Sequence, residues 1–100
     1  MDIEITGRRM AVSSYLRTLI TKKLERVFRH LSDAGLSATC IVSRAKLEKV
    51  VEVTVHARGE HFLHAVGTGP TWQFASTQVV EKLDSQGRTL KGKWKDRRRR

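Results

Sequence analysis

The stretch VVEVTVHAR, residues 50–58, decides the fold because its apolar and polar residues alternate. One face of the extended chain carries only apolar side chains, those of Val51, Val53, Val55 and Ala57. The opposite face carries Glu52, Thr54 and His56. Successive side chains of a strand point to opposite faces, so this strand buries one face and leaves the other in water. The pattern is typical of an antiparallel sheet that is covered on one side.

Three further strands are predicted around this stretch, at residues 2–6, 37–46 and 62–67. Arg58-Gly59-Glu60 is typical of a short hairpin connection into the last of them, and residues 46–49 form a polar connection before residue 50. A helix lies between the first two strands. That crossover predicts that these two strands are parallel neighbours.

The sequence predicts two amphipathic helices. In the first, apolar residues recur at spacings of three and four after an N-cap at Ser13 or Ser14. Gly35 is predicted to be its left-handed C-terminal cap. The second helix begins near Pro70, and its apolar stripe comprises Trp72, Ala75, Ser76, Val79, Val80 and Leu83. Gly87 and Gly92 interrupt this stripe, so we expect fraying or a bend past Gly87.

The order β-α-β-β-β-α predicts an α+β fold in which two helices pack on one face of a four-stranded sheet. A chain of 100 residues forms one domain. We expect that domain to span residues 1–90 and to be followed by a basic tail at residues 91–100.

The formal net charge of +10 predicts an acidic partner, with RNA or DNA as the first candidates. Residues 91–100 contain seven cations and one carboxylate, a net charge of +6, which leaves +4 for residues 1–90. The tail is typical both of a solvated, self-repelling end and of an electrostatic arm for phosphates, and the two interpretations are compatible.

Basic side chains also occupy the exposed faces of both predicted helices. In the first helix they are Lys22, Lys23, Arg26 and Arg29; in the second they are Lys82, Arg88, Lys91, Lys93 and Lys95. These basic residues can also be explained without a ligand. Lys22 and Glu25 are spaced as a helical ion pair, and cations near the C-terminus of a helix complement its dipole. Two basic helices side by side would nevertheless form a grooved surface that suits A-form RNA.

The sequence contains no motif that indicates catalysis. It has neither a Ser-His-Asp or Cys-His arrangement nor a glycine-rich phosphate loop, so we expect no enzymatic activity, cofactor or metal. His56 and His64 would meet across a hairpin, but polar residues on a wet sheet face are the favoured interpretation. Cys40, the single cysteine, is predicted to be a small core residue in a reducing compartment.

Two further features limit the functional classes. Phe74 is the one aromatic residue predicted to be partly exposed, which disfavours a platform for stacking single-stranded bases. No apolar run approaches the ~20 residues of a membrane span, so we expect no membrane association.

The opening Asp2-Ile3-Glu4-Ile5-Thr6-Gly7-Arg8-Arg9 resembles that of the bacterial ribosome hibernation promoting factors, also called ribosome-associated inhibitors or sigma-54 modulation proteins. Further similar segments are Lys22-Lys23-Leu24, Phe28-Arg29-His30, Glu52-Val53-Thr54-Val55-His56, Val80-Glu81-Lys82-Leu83-Asp84-x-Gln86 and Lys95-Asp96-Arg97-Arg98. The resemblance covers essentially residues 1–98. It departs from the family at Trp72, where the family has a Tyr, and at Gly87, where it usually has an aliphatic residue.

The resemblance implies a β-α-β-β-β-α fold similar to double-stranded-RNA-binding domains. It also implies a non-enzymatic factor that binds the small ribosomal subunit in the channel of mRNA and of A- and P-site tRNA. Such factors contact 16S rRNA in the decoding region, block translation and preserve idle 70S ribosomes in stationary phase or stress. The positions that match the family's rRNA contacts are Arg8, Arg9, Lys22, Lys23, Arg26, Arg29, Lys82, Arg88, Lys91, Lys93 and Lys95.

By the same resemblance we expect either a short-form member or a detached N-terminal domain, without the dimerisation domain of long members. It would be cytoplasmic and monomeric off the ribosome. Two other functions stay open. A regulator that binds a protein would use the sheet face and be indifferent to moderate salt. A generic double-stranded-RNA module would bind a plain RNA duplex as tightly as it binds a ribosome.

Overall fold

The computed structural model describes residues 2–31 and 35–98, with side chains through residue 92. Its strands are β1 (Asp2–Gly7), β2 (Gly35–Ala45), β3 (Glu48–Ala57) and β4 (His61–Gly69), and its helices are α1 (Ser14–Leu31) and α2 (Trp72–Arg98). The predicted order β-α-β-β-β-α is confirmed. In the part of the chain that is described, neither helix combines the length and apolarity of a membrane span.

The four strands form one sheet in the order β1-β2-β3-β4. β1 runs parallel to β2, as the helical crossover predicts, and the other two pairs are antiparallel. The β2–β3 connection is a two-residue turn, Lys46-Leu47, and is shorter than the predicted polar connection because Glu48 and Lys49 already belong to β3. The β3–β4 turn at residues 58–60 is confirmed, with Gly59 at φ 81°.

One face of the sheet and both helices enclose the core. Val51, Val53, Val55 and Ala57 are each at most 1% exposed, which confirms the buried face of β3. Cys40 lies among them with no exposed surface, as expected of a core residue. Burial raises the pKa of the Cys40 thiol from 9.0 to about 12, so the side chain is a neutral thiol at physiological pH.

Ser13 is the N-cap of α1. Its hydroxyl oxygen accepts a hydrogen bond from the Leu16 amide at 3.1 Å, and its carbonyl accepts one from the Arg17 amide at 3.0 Å. The first bond satisfies an amide that the first turn of a helix cannot pair internally, and the second is the first bond of the helical series.

Gly35 is not the left-handed cap that the sequence predicts. It begins β2, and its φ is not positive. A Cβ at this position would overlap the Phe28 ring, so a glycine here lets β2 pass close to α1. Asp33 and Ala34, expected to close α1 with it, lie outside the described residues.

α2 does not end at Gly87 or Gly92 but continues to Arg98, so the structure shows no fraying through Arg98; the alternative expectation, a bend past Gly87, stays a prediction. Gly87 is buried, and a Cβ there would lie 3.0 Å from Leu31 Cδ2. The glycine therefore allows α1 and α2 to approach each other. The backbone of residues 91–98, part of the predicted tail, belongs to this helix.

α1 and α2 run parallel. Lys23 Nζ donates to Thr77 Oγ1 at 3.2 Å, and His30 Nδ1 lies 3.0 Å from Asp84 Oδ1. Both pairs are separated by 54 residues, and such a constant offset requires the same direction in both helices. The two helices therefore begin at the same end of the molecule, and α2, with 27 residues, extends beyond α1, which has 18.

Candidate nucleic-acid interface

The cations of α1 form an exposed ridge. Lys22, Arg26 and Arg29 are exposed and follow one another at spacings of four and three, so they lie on one side of the helix. Lys23 is half-buried, since its ammonium group bonds Thr77 across the helix junction. The ridge thus presents three solvent-facing cations, and Lys23 directs another into the groove between the helices. Arg17, also exposed, lies on another side of α1.

α2 contributes two cations to the same groove. Arg88 and Lys91 line the cavity between the C-terminal end of α1 and α2, with His30 opposite them. Leu31 and Leu83 also line it. Asp84, whose side chain is only 10% exposed, contacts His30 at 3.0 Å. The predicted grooved surface therefore exists, and its solvent-facing charged groups are mainly basic.

Lys82 lies on a different side of α2. Its ammonium group donates to the Val66 carbonyl at 2.7 Å, over the outer edge of β4. Thr77, which faces α1, is five positions earlier and therefore about 140° away around the helix. The structure does not bring Lys82 together with the α1 cations, and its contact with rRNA stays a prediction.

Arg8 and Arg9 lie at the opposite end of α1 from Arg29. Both are exposed in the turn between β1 and α1, and the Arg8 amide donates to the Val42 carbonyl at 2.8 Å. Arg9 has a left-handed φ of 59°. With a rise of about 1.5 Å per residue, α1 separates the two ends by roughly 27 Å. The side chains of Lys93 and Lys95 lie outside the described residues.

The sheet sorts its charged side chains by sign, which the site prediction missed. Arg44 and Lys49 fall on the helix side of the sheet, in step with the buried positions of β2 and β3. The carboxylates within the four described strands, those of Asp2, Glu4, Glu48 and Glu52, all fall on the outer face. Strand alternation in the sequence carried this signal once the buried positions were known.

The outer face carries an exposed aromatic residue that the sequence did not predict. Phe62 is 63% exposed and stacks on His56, with ring centroids 4.7 Å apart. Tyr15, at 65%, is also more exposed than Phe74, at 51%, so Phe74 is not the one exposed aromatic residue. The three rings lie on different elements, so these residues do not form a stacking platform.

His56 and His64 do not pair across the hairpin. His56 is the register partner of Phe62, whereas His64 Nε2 lies 3.0 Å from Glu52 Oε2. Within residues 2–31 and 35–92, no group of three or more His, Cys, Asp and Glu side chains is arranged to hold a metal ion.

Comparisons with known proteins fit this geometry. The profile of the family described as sigma 54 modulation protein / S30EA ribosomal protein matches residues 3–95. A ribosomal subunit interface protein from Coxiella burnetii has a similar structure, with a TM-score of 0.83 and 28% identity over 92% of this chain and 99% of that one.

The N-terminal domain of Protein Y from Thermus thermophilus shares the fold, with a TM-score of 0.81 and 24% identity over 90% of this chain and 99% of that one. No curated protein matches the sequence significantly. Because the family profile spans nearly all of the sequence, the chain belongs to the sigma 54 modulation protein / S30EA ribosomal protein family, a family of non-enzymatic, ribosome-associated hibernation factors.

Proposed function

We propose that this protein binds the small ribosomal subunit of cytoplasmic ribosomes through its helix side and occupies the path of mRNA and tRNA. It inhibits translation by steric occlusion, stabilises idle 70S ribosomes and is monomeric when free. The observation that supports this most is the gathering of cations from α1, α2 and the sheet on one side of the molecule. The Coxiella relative, a ribosomal subunit interface protein, supports the choice of partner.

Occlusion requires binding and no chemistry. RNA phosphates attract the ridge formed by Lys22, Arg26 and Arg29, and A-form RNA is contacted through its phosphates and 2′-hydroxyl groups. The same phosphates repel the carboxylates of the outer sheet face. The protein therefore binds with its helices toward 16S rRNA in the decoding region and its outer face away from it. A folded domain held there excludes mRNA and tRNA by volume alone.

Co-sedimentation with purified small subunits tests the proposal. We expect binding at 50 mM salt that weakens by roughly 10³–10⁵ at 200 mM, the loss for six to ten phosphate contacts on the DNA scale. Lys22→Glu with Arg26→Glu should weaken it further. The control, Arg17→Glu with Arg58→Glu, makes the same change in net charge off the ridge. Equal binding by these two double variants would contradict the assignment to the ridge.

A purified translation reaction separates occlusion from mere association. Added protein should lower peptide synthesis and should compete with mRNA and tRNA for the small subunit, because they occupy the same channel. Simultaneous binding of the protein and tRNA at full occupancy would contradict the proposed location. An RNA duplex that competes as well as a small subunit would instead indicate a generic double-stranded-RNA module.

The exposed Phe62 on the acidic outer face favours a second candidate, a regulator that binds a protein. Phe62→Ala leaves the helix side intact and should not change binding to the small subunit. If Phe62→Ala loses binding to the small subunit while the Lys22 and Arg26 double variant binds it normally, the result would favour this second function.

A further inference from the structure

The tip of the β2–β3 hairpin projects beyond β1 by three residues and beyond β4 by one residue. Gly7, the last residue of β1, pairs with Val42, and Gly69, the last residue of β4, pairs with Lys49. The tip that follows consists of Ala45, Lys46, Leu47 and Glu48, all exposed. Since β1 ends about three residues earlier, the tip extends roughly 10 Å past it.

The residues of this turn are not those that favour a tight hairpin. Two-residue hairpin turns favour Gly, Asn or Asp, because at least one turn residue has a positive φ. Here Lys46 has that conformation, at φ 58°, and Leu47 is 92% exposed. Lys46 is the one of these two turn residues with a positive φ, a geometry that favours Gly at the first position, so Gly-Asn would fit the backbone better. A position that departs from the local preference is expected at a functional site.

The charges around the tip face the same side as the helices. Arg44 and Lys49 are register partners on the helix side of the sheet, and Lys49 Nζ lies 5.9 Å from the centre of the Trp72 ring. Glu48, the carboxylate of the tip, is on the outer face. The tip therefore presents cations where the helices present theirs and directs its acidic group away.

We propose that this tip is a second RNA contact, in which Arg44 and Lys46 bind phosphates and Leu47 packs against a ribose or an exposed base. The inference rests on the proposed function, since the RNA concerned is that of the small subunit. Apolar side chains flanked by cations are used to enter the minor groove of DNA. The RNA minor groove is wide and shallow, so a projecting turn can reach it.

The variant that tests this replaces the turn by the preferred Gly-Asn, as Lys46→Gly with Leu47→Asn. The hairpin keeps its length, so thermal unfolding should occur at the wild-type temperature or above it. Binding to small subunits at 150 mM salt should weaken by at least about fivefold, the loss of one phosphate contact. The salt slope, which is the slope of log affinity against log salt concentration, should decrease in magnitude by about 0.7–0.9. Leu47→Ser alone should lower affinity without changing the slope.

Arg58→Gln, in the turn at the other end of β3, is the matched control because it also removes one exposed cation. It should bind as the wild type does. Wild-type affinity and slope in the Gly-Asn variant, or an equal loss in Arg58→Gln, would overturn the inference. Failure of the wild-type protein to bind small subunits would instead contradict the proposed function, so the two failures are distinguishable.

Discussion

Cys40 shows how burial alters one side chain. It lies on the helix side of β2, opposite Val53 in the register, and has no exposed surface. A buried thiolate would lose its hydration without gaining a partner, so the thiol keeps its proton. Thiol reagents react with the thiolate, and the folded protein should therefore be modified slowly.

The pKa of Cys40 predicts a loss of stability in alkali. The folded-state value of about 12 lies above 9.0, the ordinary value. The unfolded chain then releases the proton first, so stability is unaffected below pH 9 and falls as pH rises toward 12. By pH 10.5 the loss is about 2 kcal/mol. Urea unfolding of the wild type and of Cys40→Ala across this range measures it, and parallel curves would contradict it.

Gly67 and Gly92 form a natural pair for testing the packing of α2. A Cβ at Gly67 would overlap the Ala75 carbonyl oxygen, whereas at Gly92 nothing lies within 4 Å. Gly67→Ala should therefore destabilise the protein by about 3 kcal/mol through overpacking. Gly92→Ala should stabilise it by up to about 1 kcal/mol, because alanine is the better helix former. Urea unfolding of both variants should show a lower free energy of unfolding for Gly67→Ala and a higher one for Gly92→Ala.

At the scale of elements, α2 protects the free edge of β4. Gln78, Lys82 and Gln86 are spaced by four and lie on one side of the helix. Gln78 accepts from the Thr68 amide at 3.1 Å, and Lys82 donates to the Val66 carbonyl. Unpaired strand edges invite pairing with other chains. These side chains form hydrogen bonds with the backbone amide and carbonyl groups of β4 to which another strand would otherwise pair.

Gln86 offers a local test of this edge protection. Its side-chain oxygen accepts from the His64 amide at 3.0 Å, and its Nε2 donates to the His64 carbonyl at 2.6 Å. Gln86→Ala should accelerate hydrogen exchange of the His64 amide and cost about 1 kcal/mol of stability. Ser85→Ala, the exposed neighbour, should change neither. Unchanged exchange at His64 would show that the contact does not protect the edge.

The elements were predictable from the sequence because periodicity is a local property. Alternation marked β3, and the apolar stripes marked both helices. The side of α2 on which Lys82 acts was not predictable, since a helical wheel does not show where the sheet ends. Gly35 and Gly87 were interpreted as backbone signals, but both make room for side chains of another element. A Cβ at Gly35 would overlap Phe28, and a Cβ at Gly87 would crowd Leu31.

For the whole molecule, the placement of the charges indicates the binding surface, which the net charge of +10 does not. The strands direct cations toward the helices and carboxylates to the outer face, and the α1 ridge adds to the basic side. Composition alone predicted an acidic partner. The register of the sheet and the direction of the helices were needed to show that the cations lie on the helix side of the molecule.

A charge-swap variant tests placement directly. Glu4→Lys with Lys22→Glu keeps the net charge of +10 but moves a cation from the α1 ridge to the outer face. It should bind small subunits at least as weakly as Lys22→Glu does, and its plot of log affinity against log salt concentration should be shallower than that of the wild type by about 0.7–0.9. Salt-dependent binding curves measure this. Wild-type binding would show that net charge suffices.

The opposite signs of the two sheet faces also give the molecule an electric dipole perpendicular to the sheet. In the field of a large polyanion a dipole experiences a torque, so the protein is turned before the surfaces meet. A larger fraction of collisions then begins in the productive orientation. In the proposed arrangement the outer carboxylates touch no RNA, so we expect them to act on the association rate constant and to leave the lifetime of the complex unchanged.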